Sequence, residues 1–547
     1  MKSFLTILFI IQIINISAQN DVQTKYLVTY GQVWGVLKYF HPMPSEMNWD
    51  QVLLDDFQSV KECKNETAFN EIIATLIHKC GDFEYQKRNI PDSLKFKESF
   101  EWMNNEWLSA SNKNAINNLI ENKPNFENHY IKGTLVGNPK ISNEIEYGEY
   151  KYNPAVQYLA ITRYWNIINY YCPNRTIIPE NWTKVYYNNL QGFVTAETYE
   201  VYYFEVRKLT TKIRDAHGFI RTKNNPTSMY KYAPFYCTNV SDGYFITHVW
   251  QDSLQSINLN KMDKVISING VEVEDAITEI GTYLSTSNDY YLSKSTHYLR
   301  VTQDNSMIIT VERNGEVISD TLITLNREEF GKRLKKNQYK DVSPPYKFLT
   351  DSISGKKYGY INMAKLERKD INWNFKRKLK KVNYLIIDSR NYPNWTVLKL
   401  SKVLLKNETT FAKFIKMDFD YPGSYKWTKS QTIGGGRKGY EGKIYVLVDY
   451  MTMSQAEYTV MAFQQHTDTK VIGGQTAGAD GNISEIPLPY GIKSIFSGLG
   501  VFYPDGKPTQ QVGVYRDYSV VQDKSFLIEK KDLILEKALE LIRKTDQ

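Results

Sequence analysis

The sequence is poor in cysteine, with 4 in 547 residues: Cys63, Cys80, Cys172 and Cys237. So few, so widely spaced, exclude a disulfide framework. A Cys63–Cys80 bridge is one option, and buried unpaired thiols are the simpler expectation. No long apolar run follows the first 18 residues, so no transmembrane span is expected in the mature chain. No cluster of His, Cys and Asp has metal-ligand spacing, and no dinucleotide fingerprint occurs. The Gly-rich "IGGGRKGYEG" (Ile433–Gly442) lacks the G-K-[ST] ending of a phosphate loop and reads as a flap or hairpin. No cofactor is therefore expected. A formal charge of +8, with acids and bases interleaved, excludes an evident nucleic-acid surface. The densest basic run, "FKRKLKK" (Phe375–Lys381), reads as the wet face of a helix.

What is present begins with "MKSFLTILFIIQIINISAQN": an early Lys, a short apolar run, and small residues before Gln19. This reads as a signal peptide over residues 1–18, cut after Ala18, with a membrane anchor as the alternative. It implies export to the periplasm or cell envelope, or secretion. No Cys follows the cut, which argues against lipidation. The length predicts two to four domains. Residues 19–200 read as a helical region rich in Trp and Tyr, with a weak internal repeat. "YGQVWGVLKYFHPMPSEMNW" from Tyr30 and "YLAITRYWNIINYYCPNRTIIPENW" from Tyr158 each give an aromatic helix, a Pro break, and "NW" opening a second helix. Trp34 and His41 are expected to pack, not to react.

Residues 201–229 read as a joining segment that carries His217. Over 230–325 the texture is β-rich, with Asn269-Gly270 and Asn314-Gly315 as hairpin turns. A charged linker spans 326–345. Residues 346–547 alternate apolar strands with helices, which predicts an α/β layer with a largely parallel sheet. The fold class expected is thus multidomain, α+β and α/β. In such sheets sites form at the carboxyl ends of strands. One such end is "LVDYMTMSQAE", where Ser454 sits between the strand "KIYVLV" and a helix. A helix N-terminus can stabilise an oxyanion beside a nucleophilic Ser. Ser is equally a favoured N-cap, so local sequence leaves both roles open.

The order of parts narrows the choice. The 230–325 stretch resembles a PDZ domain, a module that binds an extended peptide on a sheet edge. After it come "D-x-R-x-x-P" (Asp388–Pro393), "S-x-x-E" (Ser454–Glu457) and "G-x-x-T-x-G" (Gly473–Gly478). From about Arg207 onward the chain resembles the C-terminal processing, or tail-specific, serine peptidases. That resemblance implies a ClpP/crotonase-like peptidase core with Ser454 as nucleophile. The Lys that serves as base in many members falls at Ala479, so a Ser–Lys dyad is absent. Another branch, similar to the tricorn-type peptidases, places a His before the PDZ module; "RDAHGFI" supplies His217 as the implied base. An acidic support for the His has no clear match. Gln510 and Gln511 occupy the corresponding stretch, and Glu485 is the reserve candidate. The oxyanion hole implied uses the N–H of Gln455 and a turn at Asn394, where glycines are common in the family. Asp388 and Arg390 are expected to brace that turn.

The sequence thus predicts an exported serine endopeptidase acting on unfolded polypeptides or protein C-terminal tails through an acyl-enzyme. A catalytically inactive peptide-binding protein on the same fold is the alternative. A glycan-binding or structural envelope protein built on the aromatic N-terminal half is a third reading.

Overall fold

The computed structural model describes residues 22–40, 47–81, 86–87, 90–123, 128–251, 256–336 and 343–545. The leader and His41 lie outside the described residues. Residues 22–40 are helical. The Trp49–Lys61 helix follows, capped by the Asn48 side chain. Later in the chain Pro154–Tyr171 is followed by Trp182–Val194, capped by Asn181. The sequence repeat is therefore structural. Trp34 Nε1 donates to the Trp49 carbonyl at 2.6 Å, and Trp165 Nε1 donates to the Trp182 carbonyl at 2.7 Å. In each copy an indole of the first helix donates to a carbonyl at the start of the second. Trp34 is fully buried, as its packing role requires.

The helical region is fused to the rest of the molecule. Its core runs continuously into Ile415, Met417, Ile486, Leu488 and Phe496. An ion network sits at this junction. Lys38 Nζ lies 2.6 Å from Asp50 and 2.7 Å from Glu144, while Arg163 lies 2.7 Å from Asp50 and 2.9 Å from Glu144. All four side chains are buried. Arg163 also donates to the Pro487 carbonyl at 2.9 Å, which ties the helices to the Ile483–Leu488 strand. Burial pushes the Asp50 carboxyl up, but Lys38 and Arg163 outweigh it and hold it below its ordinary value. The four cysteines are free and buried, so Cys63 and Cys80 are unbridged.

Over 235–323 the strands run antiparallel in the order Glu316–Ile323, Ser306–Arg313, Lys264–Ile268, Gly243–Val249, Phe235–Val240. The turns fall at Asn269-Gly270 and Asn314-Gly315, all four with positive φ, as two-residue hairpin loops demand. This sheet and the Val273–Gly281 helix enclose a core of their own. The expected linker is in part a helix, Arg327–Lys336, whose Phe330 is buried against Tyr232 and Trp250. An apolar residue in a charged run was the overlooked signal.

The last region is built on six strands in the order Tyr346–Thr350, Lys357–Asn362, Tyr384–Asp388, Lys443–Val448, Thr469–Gly473, Tyr518–Ser519. All neighbours after the first pair are parallel. Tyr384–Asp388 is buried at every residue, which explains its unbroken apolar run. Removing one partner of a buried ion network leaves an uncompensated charge, at a cost of roughly 3–5 kcal/mol. Lys38→Met is expected to lower the urea midpoint followed by tryptophan fluorescence; an unchanged midpoint would show that the network carries no such charge balance.

Candidate active site

The Lys443–Val448 strand ends the third parallel crossing, and the Gln455–Phe463 helix starts seven residues later. Ser454 stands between them with φ 57° and ψ −121°. An ordinary N-cap has extended backbone. A left-handed φ on a residue with a Cβ is strained, on the order of 1–3 kcal/mol, and persists only where the surroundings enforce it. Two acceptors enforce it here: the Ser454 N–H faces the Ala479 carbonyl at 2.9 Å and a Glu457 carboxylate oxygen at 3.2 Å. Glu457 is wholly buried and also accepts from Thr476 Oγ1 at 2.6 Å, Gly478 N at 2.8 Å and Ala479 N at 3.1 Å. Burial pushes its carboxyl up to about 7, against the pull of these four donors. One side chain thus clamps the serine turn to the 476–479 loop.

That loop is braced from two further sides. Asn288, in the β-rich region, donates to the Thr476 and Ala477 carbonyls, both at 3.1 Å. Gln511 N–H donates to the Gly478 carbonyl at 2.7 Å. Gly478 has φ 68°, and a Cβ there would lie 2.8 Å from the Gln511 carbonyl carbon.

His217 reaches the same place from 237 positions earlier. The Tyr199–Thr211 helix leads into the turn carrying it, and Ile220–Arg221 then pairs antiparallel with Lys493 and Ser494. The pairing stitches the His217 turn to the peptidase-like layer. The ring is 6% exposed. Its Nδ1 lies 2.9 Å from Ser497 Oγ, which lies 3.0 Å from Asp215 Oδ1. Asp215 also accepts from Ser497 N at 2.6 Å and His217 N at 3.0 Å. A carboxylate only accepts, so the Ser497 hydroxyl donates to Asp215 and offers its lone pair to Nδ1–H. That fixes the tautomer with Nε2 unprotonated, the form a general base needs. Burial lowers the pKa of His217, opposed by Asp215.

His217 and Ser454 both line one cavity of about 960 Å³. No hydrogen bond among the described residues joins them; such contacts are commonly long until substrate tightens them. One side of the cavity is apolar and aromatic, with Tyr392, Trp395, Phe414, Tyr458 and Leu499, and Lys416, Lys429 and Asp480 also border it. Trp395 and Tyr458 are stacked at 6.3 Å. A further wall comes from the helical region. The Ile131–Gly133 and Pro139–Ile141 strands form a hairpin whose tip, Thr134–Gly137, borders the cavity. Asn138 Nδ2 pins it to the Ile483 carbonyl at 2.9 Å and Ser484 Oγ at 3.1 Å. Leu135 at the tip is fully exposed. Sequence reasoning missed this hairpin because two three-residue strands give almost no periodicity; "TLVGN", an apolar pair before a Gly-Asn turn, was the available signal.

Four expected site residues are placed elsewhere. Asn394 does not border the cavity: its N–H donates to the Met363 carbonyl at 3.3 Å and its amide to Ala364 and Leu366 carbonyls, each at 3.1 Å. With those donors spent, it is no oxyanion ligand. Gln455 keeps that role open, because the N–H of a first helical residue has no intrahelical carbonyl. Glu485 is a solvent-facing strand residue paired with Arg221, so it does not support His217. Gln511 reaches the Ile177 carbonyl with its amide at 3.3 Å, and Gln510 is buried with no hydrogen bond to His217. The His217 ring is instead bonded to Asp215 through Ser497. The "D-x-H" spacing contained half of that answer; Ser497 could be placed only by the 280-residue contact. Asp388 and Arg390 pair at 2.6 Å, with Arg390 also 2.7 Å from Asp532, as a brace. Ala479 is buried at the position of the absent Lys. Asp480 beside it is buried, and its carboxyl is held well above the carboxylate range, first by burial and then by Glu457.

Residues 357–520 match the model of Peptidase family S41. This region is an S41 peptidase domain. It is the domain of a serine peptidase, a hydrolase. No curated protein matches the chain. Among solved structures, mature CPAF complexed with lactacystin is 12% identical with a TM-score of 0.56, covering 72% of this chain and 98% of that one. A second structure of mature CPAF is 12% identical with a TM-score of 0.55, covering 72% and 97%. These likenesses show a shared fold that extends well beyond the S41 domain's own 357–520 span.

Because burial disfavours the imidazolium, the His217 ring is expected to stay neutral further into acid than an unperturbed His at about 6.5. An NMR titration that places its midpoint below 6.5 agrees; a midpoint at or above 6.5 would show that Asp215 outweighs burial.

Proposed function

We propose that the chain is an exported serine endopeptidase that cleaves unfolded polypeptides or protein C-terminal tails. The observation that carries this is the pairing, in one cavity, of a strained Ser454 with a tautomer-fixed His217. His217 Nε2 takes the Ser454 proton as Oγ attacks the peptide carbonyl carbon. The Gln455 N–H and the positive end of its helix stabilise the oxyanion. The proton passes to the leaving amine as the C–N bond breaks. Water, deprotonated by the same imidazole, then releases the acyl group. Ser497 and Asp215 hold the ring and favour the imidazolium formed in transit. The 230–325 sheet serves as a PDZ-like module that receives an extended peptide. Its Asn288 contact sets that module directly on the serine loop.

Export rests on the leader sequence. Among the described residues no helix is long and apolar enough to cross a membrane. One observation favours the second reading, an inactive peptide-binding protein: the Asn394 N–H is already bonded, which leaves a single named oxyanion donor. Turnover decides between them.

Ser454→Ala is expected to abolish cleavage of an unfolded protein while leaving the circular dichroism spectrum unchanged. His217→Ala is expected to lower kcat by about 10²–10⁴-fold. Equal cleavage by all three proteins would assign the activity to another nucleophile or a contaminant. Leu135→Asp is expected to raise KM for a peptide with large apolar residues roughly 3- to 30-fold, the worth of one partly buried apolar contact, with kcat held. An unchanged KM would place the substrate away from the hairpin.

A further inference from the structure

The helical region holds a second cavity, of about 620 Å³, that shares no lining residue with the Ser454 site. At its wall lies Arg175, from the Pro break of the second repeat, 6% exposed. Its Nε donates to Asn169 Oδ1 at 3.3 Å. Asn169 is itself locked to Ser99 by two hydrogen bonds, of 2.8 and 2.7 Å. The two terminal nitrogens have no hydrogen-bond partner among the described residues, and no carboxylate lies within 4 Å. The Arg175 guanidinium carbon lies 5.8 Å from the Trp182 ring centroid, but buried cations are normally paired with an anion. The other buried arginine of this region, Arg163, has two carboxylates. Burial holds the Arg175 pKa below its ordinary value, only partly offset by Cys172, Glu98 and Glu101.

The other walls define what could complete the site. Trp102, Trp107 and Trp182 line it, and each spends its indole N–H inside the protein: on Tyr170 Oη at 3.1 Å, Thr29 Oγ1 at 2.9 Å and the Trp165 carbonyl at 3.0 Å. They offer carbon, not donors, which suits an apolar side chain better than a hydroxyl-rich sugar. Glu98, Glu101 and Glu180 are exposed at the same cavity, beside Lys25 and Lys184; Glu98 and Glu101, the acids that act on Arg175, attract an ammonium group. A guanidinium fork matches a carboxylate with two parallel hydrogen bonds.

We propose that this cavity binds the C-terminal carboxylate of a short peptide, anchored by Arg175, with an apolar side chain against the tryptophans and the amino end toward Glu98 and Glu101. The volume admits a peptide of a few residues. The site is independent of Ser454 chemistry.

The test is calorimetric titration of the full chain with the dipeptide Leu-Leu, its C-terminal amide, and glucuronate. Leu-Leu is expected to bind. The amide, which lacks the carboxylate, is expected to bind at least tenfold more weakly. Arg175→Gln is expected to lose Leu-Leu binding by a similar factor, with Arg175→Lys, which keeps charge without the fork, in between. Leu-Leu should raise the melting temperature of the unmodified chain and leave that of Arg175→Gln unmoved. Equal binding of acid and amide would overturn the proposal, and that comparison needs no variant to fold. Binding of glucuronate alone would overturn the peptide assignment. No binding of any of the three at millimolar concentration would leave Arg175 as a structural residue and overturn it outright.

Discussion

The buried carboxylate of Glu457 is the contact on which the candidate site depends. It gathers N–H groups from Ser454, Gly478 and Ala479 and the hydroxyl of Thr476. These donors come from two crossings of the sheet, the ends of Lys443–Val448 and Thr469–Gly473. Without that acceptor the left-handed backbone at Ser454 would relax toward an ordinary cap, and the hydroxyl would turn from the cavity. A buried carboxylate is costly, and here four hydrogen bonds offset part of the desolvation. Burial first, and then the neighbouring Glu457, pushes the Asp480 carboxyl up, since two adjacent buried carboxyls do not both ionise readily. Position 479 is filled by a buried alanine. The loop keeps its shape while the proposed proton acceptor comes from elsewhere.

That acceptor enters through a different constraint. His217 belongs to a turn between the helical region and the β-rich module, and two antiparallel pairs, Ile220 with Ser494 and Arg221 with Lys493, bring it to the cavity. Three regions therefore build one site. The helical region gives the Leu135 hairpin, the β-rich region gives Asn288, and the S41 domain gives Ser454. The continuous core between the helices and the Ile483–Leu488 strand holds this arrangement together. The helical half is a wall of the site and not an appendage.

The sequence carried much of this and lacked the rest for identifiable reasons. Long buried strands such as Tyr384–Asp388 and tight turns such as Asn269-Gly270 announce themselves through apolar runs and dipeptides that fix the backbone. The serine-to-helix junction was visible as a strand–turn–helix change of period. Ser497 was not, because it is one serine in an ordinary strand and its role exists only across a 280-residue contact. Asn394, Gln510, Gln511 and Glu485 were placed by position along the chain. The structure spends Asn394 on turn closure, Gln510 on burial, Gln511 on loop bracing and Glu485 on a surface ion pair. Sequence position approximates the loop that borders a site but does not say which way each backbone N–H or side chain points.

The central claim is that His217 activates Ser454 alone among the serines of this chain. Labelling with a fluorophosphonate, followed by intact mass and peptide mapping, tests it without assuming a substrate. The account predicts one adduct per chain, on Ser454, formed rapidly by the unmodified protein and lost in His217→Ala. An adduct on a different serine, or labelling of Ser454 that is equally fast without His217, would contradict it.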